Sequence, residues 1–442
     1  MIEIDIPEEE CRPRAILAGL RTDERADDFE HSMDEMKSLI DACDMDVVAF
    51  LSQTLPHPDS GTYLGRGKIE ELAETARVLE AEYCVFEDNL SPAQMKNIQK
   101  MIGIPVWDRT GLILEIFSRR AKTRESRLQV ESAYLQYMLP RLTGMWQHLG
   151  RQGGGSGSRS NKGVGEKQLE LDRRQIGHRI AELERELATI SRTRQVQRQG
   201  RKSSDIPHAA LVGYTNAGKS SLMNRLLTLS KYVPDAREEK QVFEKNMLFA
   251  TLDTSIRHIY RANRQDFLLS DTVGFIENLP HGLVKAFRST LEEVKYADLL
   301  LIVLDASDPY HKQHRDITEK TLDELEAGDI PRIYILNKSD LIEKKISAPV
   351  RVNDNIVYVS TKTGDGIDEL LSMISEQLYG DAEEITALVP YSAGDVLNRL
   401  HKNAQVLSEE YAPEGTLITA VCTGAMLRLM REYETATTPH RS

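Results

Sequence analysis

Three short motifs carry the residue types that could bind and cleave a nucleotide. The first is the octet Gly213-Tyr-Thr-Asn-Ala-Gly-Lys-Ser220, which lies between an apolar run and an amphipathic run. In a strand-loop-helix unit of this kind, backbone N–H groups surround the phosphates, the lysine reaches the β and γ phosphates, and the final hydroxyl binds Mg²⁺. A plain glycine-rich surface turn would not need these flanking runs. The octet therefore predicts a triphosphate-binding loop.

The second motif, Asp271-Thr-Val-Gly274, would face the metal and the terminal phosphate. It follows the apolar run 267–270 and lies about fifty residues after the phosphate loop. We predict that Asp271 approaches Mg²⁺ through a water molecule and that the Gly274 N–H contacts the γ-phosphate. Between the two motifs, Thr251 is the predicted metal-binding threonine and Thr254 is the alternative. The preference of threonine for strands would also account for either residue.

Phe275 stands where many GTPases carry a glutamine that orients the attacking water. A phenylalanine ring cannot accept a hydrogen bond from that water, so two interpretations remain open. The chain is either a binding switch that does not hydrolyse GTP, or an enzyme that is slow alone and is stimulated when a partner aligns the water. We favour the enzyme because phosphoryl transfer depends mainly on Mg²⁺, the phosphate-loop lysine and backbone positioning.

The third motif, Asn337-Lys-Ser-Asp340, would select the base. A carboxylate at Asp340 accepts hydrogen bonds from the N1–H and exocyclic amine of guanine, whereas adenine offers no such donor pair. The stem of Lys338 can lie over the plane of the base. Residues 360–362 follow another apolar run, which places their backbone N–H groups near the guanine oxygen. The base-binding motif therefore predicts GTP as the substrate, cleaved to GDP and phosphate with Mg²⁺ as the cofactor.

The predicted site draws on all of these motifs. The predicted GTP-binding residues are Gly213, Tyr214, Thr215, Asn216, Ala217, Gly218, Lys219, Ser220, Ser221, Asp271, Thr272, Val273, Gly274, Asn337, Lys338, Asp340, Ser360, Thr361 and Lys362. The predicted catalytic positions are Lys219, Thr251, Gly274 and Phe275. The predicted Mg²⁺ ligands are Ser220, Thr251 and Asp271.

Length and composition limit what surrounds this site. A chain of 442 residues is too long for one compact core and predicts several domains. The four cysteines have no C-x-x-C spacing, which argues against structural zinc and against a disulfide framework. The N-terminus is acidic where a secretory signal would be basic, and no run approaches the about eighteen apolar residues of a membrane span. We expect a cytoplasmic protein without stable membrane insertion, although a peripheral membrane-associated fraction stays open.

Charge is distributed unevenly along the chain. The net charge is −13, yet residues 119–202 contain 19 lysine and arginine residues against 8 aspartate and glutamate residues. Leucines recur every seven residues from Leu128 to Leu149, and a three-four apolar spacing follows between Leu169 and Ile190. These patterns predict an antiparallel helical hairpin whose basic surface suits a polyanion, although a solvated helix pair would explain the charge alone equally well. The glycine-rich connection, residues 150–165, carries the cations Arg151, Arg159 and Lys162.

The expected architecture is an α/β multidomain chain. Alternating apolar strands and helical stretches in residues 1–118 predict a small α/β domain with a parallel sheet. The basic hairpin would occupy 119–202, and a P-loop GTPase domain with a mostly parallel sheet would occupy 203–380. Two apolar runs flanking a predicted helix from Gly394 to Leu407 indicate a small α+β domain over 381–442.

The chain resembles the HflX family of ribosome-associated GTPases along nearly its whole length. The resemblance rests on four segments besides the base-binding motif: Gly61–Leu72, Ile104–Ala121, the phosphate loop, and the run Gly165-Glu-Lys-Gln-Leu-Glu-Leu-Asp-Arg-Arg174. The run is the most specific of these, because no ordinary packing rule demands its sequence.

The family resemblance implies a particular partner and activity. It implies a protein that binds the large ribosomal subunit, with the glycine-rich tip near the peptidyl-transferase region, and that uses GTP to split or rescue stalled ribosomes. We expect the protein to be a monomer. Turnover would be slow alone and stimulated by the ribosome. The alternative is a nucleotide-dependent RNA-remodelling or ribosome-assembly factor. The RNA-contacting residues expected on this basis are Arg151, Arg159, Lys162, Arg173 and Arg174.

Overall fold

The computed structural model describes ten stretches of the chain. These are residues 12–23, 28–142, 161–202, 206–230, 255–261, 265–276, 293–342, 350–380, 383–422 and 424–434. They belong to two units, of which the first holds the described residues up to Gln199 and the second holds those from Gly200 onward. Among the described residues, no helix combines the length and the apolar character that crossing a bilayer requires.

The first unit is built on a four-stranded parallel sheet with the order β2-β1-β3-β4. Its strands are β1 (Arg14–Arg21), β2 (Asp46–Thr54), β3 (Tyr83–Phe86) and β4 (Val106–Trp107). The inner strand β1 is apolar from Ala15 to Ala18 and fully buried there, as a strand covered on both faces must be. The predicted parallel sheet is thus present, although β4 is two residues shorter than the apolar run 104–107.

Helices α1 (Phe29–Ala42), α2 (Arg66–Val78), α3 (Pro92–Ile102) and α4 (Arg109–Arg120) connect or follow these strands. Both ends of helix α3 are determined by its local sequence. Ser91 accepts from the Gln94 N–H while the Gln94 side chain accepts from the Ser91 N–H, and the helix stops at Gly103 with a φ of +83°. A capping box at one end and a left-handed glycine at the other define both boundaries.

A helical hairpin completes the first unit. Its helices are α5 (Arg124–Met138) and α6 (Asn161–Lys202). Arg124 pairs with Glu186 at 2.8 Å, and Arg179 makes two hydrogen bonds to Glu131, at 2.8 and 3.1 Å. Because the earlier residue of α5 faces the later residue of α6, the two helices are antiparallel, as predicted.

The connection between the two hairpin helices differs from the prediction. Helix α6 begins at Asn161, so the last five residues of the predicted glycine-rich connection have a helical backbone. The pattern of glycines at positions 163 and 165 had suggested a later start. Arg151 and Arg159 lie outside the described residues, as does Leu149 of the leucine repeat.

The second unit contains a seven-stranded sheet with the order β10-β11-β9-β8-β5-β7-β6. Its strands are β5 (His208–Gly213), β6 (Ser255–Ile259), β7 (Phe267–Asp271), β8 (Leu299–Asp305), β9 (Arg332–Asn337), β10 (Arg351–Asn353) and β11 (Ile356–Tyr358). Among the described strands of this sheet, only the two edge strands, β6 and β10, pair antiparallel to their neighbours. The mostly parallel sheet expected from the sequence is confirmed.

Apolar side chains cover both faces of this sheet. Along β8, Leu299, Leu301 and Val303 pack in one buried cluster, while Leu300 and Ile302 belong to another. The surrounding helices are α7 (Lys219–Ser230), α8 (His311–Glu324) and α9 (Ile367–Tyr379). Since β5, β7, β8 and β9 are parallel, their carboxyl ends meet along one edge, where ligands bind in open α/β sheets.

The C-terminal residues form a separate antiparallel sheet with the order β12-β14-β13. It contains β12 (Glu383–Val389), β13 (Gln405–Ala412) and β14 (Gly415–Cys422), together with α10 (Gly394–Asn403) and α11 (Gly424–Arg431). The predicted α+β character is confirmed. The predicted helix up to Leu407 is wrong at its end, because α10 stops at Asn403 and Leu407 lies in β13.

Candidate guanine-nucleotide site

The phosphate loop begins where β5 ends and finishes at the start of α7. Gly213 has a φ of +141° and Gly218 a φ of +93°, both in the region that side chains disfavour. A Cβ atom at Gly213 would collide with the Val303 carbonyl, and one at Gly218 with the Asn337 side-chain amide. Both glycines are therefore required by backbone conformation and by the close approach of neighbouring strands.

Lys219 lies inside the loop and is buried. Its Nζ donates to the backbone carbonyls of Gly213 at 3.0 Å and Tyr214 at 2.8 Å. Burial lowers the pKa of Lys219 to about 8, while the nearby Asp271 carboxylate opposes the shift. The ammonium is thus held inside the turn, next to the backbone that would surround a phosphate.

Ser220 and Asp271 come together as two of the three predicted metal ligands. The Ser220 hydroxyl donates to Asp271 Oδ2 at 2.8 Å, and Asp271 is fully buried at the end of β7. A hydroxyl beside a carboxylate is the oxygen donor set that Mg²⁺ prefers, so these residues fit the ion. Thr251 and its alternative Thr254 lie outside the described residues. Within the described part of the chain, no group of three His, Cys, Asp or Glu side chains could hold a metal.

Gly274 lies directly against the phosphate loop. The Phe275 N–H donates to the Gly213 carbonyl at 3.0 Å, and the Thr215 N–H donates to the Phe275 carbonyl at 2.8 Å. A Cβ atom at Gly274 would lie 2.9 Å from both Lys219 Nζ and Thr215 Cα. The second motif and the phosphate loop are therefore joined through their backbones, with no room for a side chain between them.

Phe275, one of the predicted catalytic positions, has its side chain in the core. Only 3% of the residue is exposed, and it packs in the buried cluster that contains Val212, Val294 and Leu304. A ring enclosed by apolar side chains gains free energy from burial and offers no hydrogen bond to a water. The structure gives Phe275 a packing role for its side chain and a loop-joining role for its backbone.

The base-binding motif is tied to the phosphate loop by one amide. Asn337 is buried; its Nδ2 donates to the Ala217 carbonyl at 2.9 Å, and its Oδ1 accepts from the Thr361 N–H at 3.2 Å. The Ser360 hydroxyl donates to Asp340 Oδ1 at 2.7 Å. The structure therefore brings together the three segments predicted to surround the nucleotide.

The remaining predicted nucleotide-binding residues occupy different environments. Tyr214 stacks on the buried His314 with ring centroids 3.8 Å apart. The Thr272 hydroxyl donates to the Leu211 carbonyl at 2.6 Å. Val273 is buried, Ser221 is half-buried and Lys362 is exposed. Asn216 has a φ of +59° within the loop.

Two residues of this region were missed by the sequence analysis. One is His314, the stacking partner of Tyr214. The other is Asp305, whose Oδ2 accepts from Lys338 Nζ at 2.7 Å. Asp305 ends an apolar strand just as Asp271 does, and this shared position is the signal that could have identified it.

The predicted RNA-contacting residues on the hairpin are partly described. Arg173 and Arg174 are exposed on α6, and Arg174 lies 3.7 Å from Glu170 one turn earlier. Lys162 lies in the first turn of the same helix. The structure thus presents two adjacent arginines to solvent.

Three family models match consecutive parts of the chain. Residues 30–118 match the family described as GTP-binding GTPase N-terminal, and residues 120–201 match GTP-binding GTPase Middle Region. Residues 208–338, which contain the phosphate loop and the first two residues of the base-binding motif, match the family described as 50S ribosome-binding GTPase.

Fold, site and family models together define a P-loop GTPase. The chain is 39% identical to the GTPase HflX of Caldanaerobacter subterraneus subsp. tengcongensis, covering 96% of this chain and 94% of the relative. It is 38% identical to the GTPase HflX of Escherichia coli, covering 86% of this chain and 87% of the relative. The chain belongs to the HflX family of GTPases, which confirms the resemblance stated from its motifs.

Proposed function

We propose that this GTPase binds the large ribosomal subunit and uses GTP hydrolysis to split or rescue stalled or idle ribosomes. The observation that carries the proposal is the match of residues 208–338 to a family described as 50S ribosome-binding GTPase. The helical hairpin supplies a surface of suitable charge, since ribosomal RNA presents closely spaced phosphates.

The basic hairpin is the candidate RNA-binding element. Its segment of 119–202 carries 19 cationic against 8 anionic side chains, and Arg173 and Arg174 are exposed on α6. Ion pairs between α5 and α6 brace the two helices against each other. We infer that the tip residues Arg151, Arg159 and Lys162 approach the ribosomal RNA near the peptidyl-transferase region.

Nucleotide binding would use the groups already gathered at the sheet edge. Lys219 would exchange the carbonyls of Gly213 and Tyr214 for β and γ phosphate oxygens, and the Gly274 N–H would contact the γ-phosphate. Ser220, Asp271 and Thr251 would hold Mg²⁺, which supplies positive charge to the phosphates when bound. Asp340 would accept from the guanine edge.

We expect slow intrinsic turnover because of the place of Phe275. Its buried ring offers no hydrogen bond to an attacking water, so another group has to align that water. We infer that binding to the large subunit supplies or orders this group. The ribosome would then act both as the binding partner and as the stimulator of GTP cleavage.

Single-turnover GTP cleavage with and without purified large subunits tests the proposal. We expect large subunits to accelerate cleavage by the unmodified protein, and the variant R173A/R174A to lose most of this acceleration while binding GDP normally. The matched control is R77A/R431A, which removes two arginines that are 76% and 56% exposed elsewhere. Salt should weaken the stimulation, because phosphate contacts release counterions.

Two outcomes would contradict the proposal. One is equal turnover with and without large subunits. The other is a light-scattering experiment in which intact ribosomes do not separate into subunits after the protein and GTP are added. Equal loss of stimulation in R77A/R431A would mean that the effect of R173A/R174A is not specific to the hairpin.

A further inference from the structure

Asp305 lies at the edge of the base-binding region without belonging to any of the predicted motifs. It is the last residue of β8 and is paired in register with Asn337, the last residue of the neighbouring β9. The Ala306 N–H donates to the Asn337 carbonyl at 2.8 Å, which continues the ladder past the end of the strand. Asp305 is thus fixed by backbone pairing beside Lys338.

Both carboxylate oxygens of Asp305 have defined partners. Oδ1 accepts from the Ser307 N–H at 3.0 Å and from the Ser307 hydroxyl at 2.6 Å. Oδ2 accepts from Lys338 Nζ at 2.7 Å. Because Oδ1 is bonded to Ser307, the direction of Oδ2 is fixed. The Lys338 ammonium must therefore lie where Oδ2 points in order to form the ion pair.

Lys338 is held by its backbone as well as by this carboxylate. Its φ of +60° is a left-handed conformation that few residues other than glycine and asparagine adopt. The side chains of Lys338 and Asp305 are 23% and 19% exposed, so water only partly screens the charge pair. A long, flexible side chain is therefore restrained at both of its ends.

We propose that Asp305 is a positioning residue for nucleotide binding. It holds the Lys338 ammonium so that the lysine stem forms one wall of the guanine pocket before the nucleotide arrives. Pre-ordering removes the entropy that Lys338 would otherwise lose on binding. This inference concerns nucleotide binding and does not depend on the ribosome.

The proposed wall contacts the face of the base, whereas Asp340 reads its edge. Loss of Asp305 should therefore weaken guanine and xanthine nucleotides by the same factor. Loss of the Asp340 carboxylate should instead change the ratio between them. This difference separates an effect transmitted through Lys338 from a general disturbance of base recognition.

A double-mutant cycle tests the assignment. GDP dissociation constants are measured by fluorescence titration for the unmodified protein, D305N, K338A and D305N/K338A. We expect D305N to bind GDP about tenfold more weakly, K338A to be at least as weak, and the double variant to be no weaker than K338A. In D305N the affinity for xanthosine diphosphate (XDP) should fall by the same factor as the affinity for GDP, so that the ratio of the two dissociation constants stays unchanged.

The control is D316N, which removes a carboxylate from an exposed pair with Arg315 on α8 and should leave GDP binding unchanged. Thermal unfolding checks that each variant folds; if D305N does not, D305E keeps the charge but displaces it and enters the same cycle. The assignment is overturned if D305N binds GDP normally, or if D305N weakens binding further when Lys338 is already alanine.

Discussion

The base-binding half and the phosphate-binding half of this site are held in different ways. The base half is braced by side chains, with Asn337, Ser360 and Lys338 each bonded to a fixed partner. In the phosphate half, the two loops are joined by backbone contacts of Gly213 and Thr215 with Phe275, while the side chains of Lys219 and Ser220 bond within the same region. Side-chain bracing preforms a pocket, while backbone joints between two loops can open and close together. From this comparison we expect guanine selection to be preformed and the phosphate side to carry the switching.

The largest effect should come from adding a methyl group between the two phosphate-side loops. In G274A the new Cβ would lie 2.9 Å from Lys219 Nζ and from the Thr215 backbone, so the loops must move apart. We expect single-turnover GTP cleavage to fall by about a thousandfold. The control is G67A, because a Cβ at Gly67 meets nothing within 4 Å. Cleavage by G274A at the normal rate would show that the contact has no role in the switch.

Phe275 provides the next test, since its ring is enclosed by the core. F275Q restores the residue type that aligns water in other GTPases, but it places an amide among apolar side chains. We expect unfolding to become easier by about 3 kcal/mol and turnover not to rise. Denaturant unfolding and single-turnover cleavage measure the two effects. A faster and equally stable variant would mean that the side chain can reach the nucleotide after all.

On the base side, D340N should change the preference of the site from guanine to xanthine nucleotides. We expect GDP to bind about a hundredfold more weakly, because the amide cannot accept from both guanine donors. XDP should bind more tightly than it does to the unmodified protein, since the amide donor matches its C2 oxygen. Competition titrations of the two nucleotides give the ratio. Unchanged GDP affinity would remove Asp340 from base recognition.

The smallest expected effect is the pH dependence contributed by Lys219. Burial lowers its pKa from 10.5 to about 8, so the nucleotide-free protein loses this charge as the pH rises above 8. We expect GDP binding at pH 8.5 to take up protons and to weaken by up to about tenfold per pH unit. The unfolded chain binds more protons between pH 8 and 10.5, so the Lys219 contribution to stability rises across that window.

Calorimetric titration in two buffers of different ionisation enthalpy measures the proton uptake. K37M, which removes a half-exposed lysine on α1, serves as the control and should keep the uptake. Equal heats in the two buffers at pH 8.5 would contradict a lowered Lys219 pKa.

Much of the nucleotide-binding architecture could be predicted because strand endings carry the chemistry. Each of β5, β7 and β9 is an apolar run that stops at a motif, and parallel pairing brings those ends together. The two edge strands could not be found in this way. β13 was also missed, because most of its residues face solvent and its sequence has no apolar alternation.

Tertiary contacts account for the remaining differences. The Phe275 ring turns into the core because the backbone of that residue pairs with the phosphate loop, which no local pattern reports. The Asp305–Lys338 pair joins residues 33 positions apart, and only the pairing of β8 with β9 makes them neighbours. The start of α6 at Asn161 runs against the low helix propensity of two nearby glycines.

The two hydrogen bonds of Asn337 link the halves of the site in thermodynamic terms as well. One side chain contacts the phosphate loop at Ala217 and the base loop at Thr361, so order gained in either loop is shared with the other. Such coupling is reciprocal: a base that fits makes phosphate binding easier by the same free energy that phosphate lends to the base. Guanosine bound in the base half should therefore tighten the binding of pyrophosphate in the phosphate half, and pyrophosphate should tighten the binding of guanosine by the same factor.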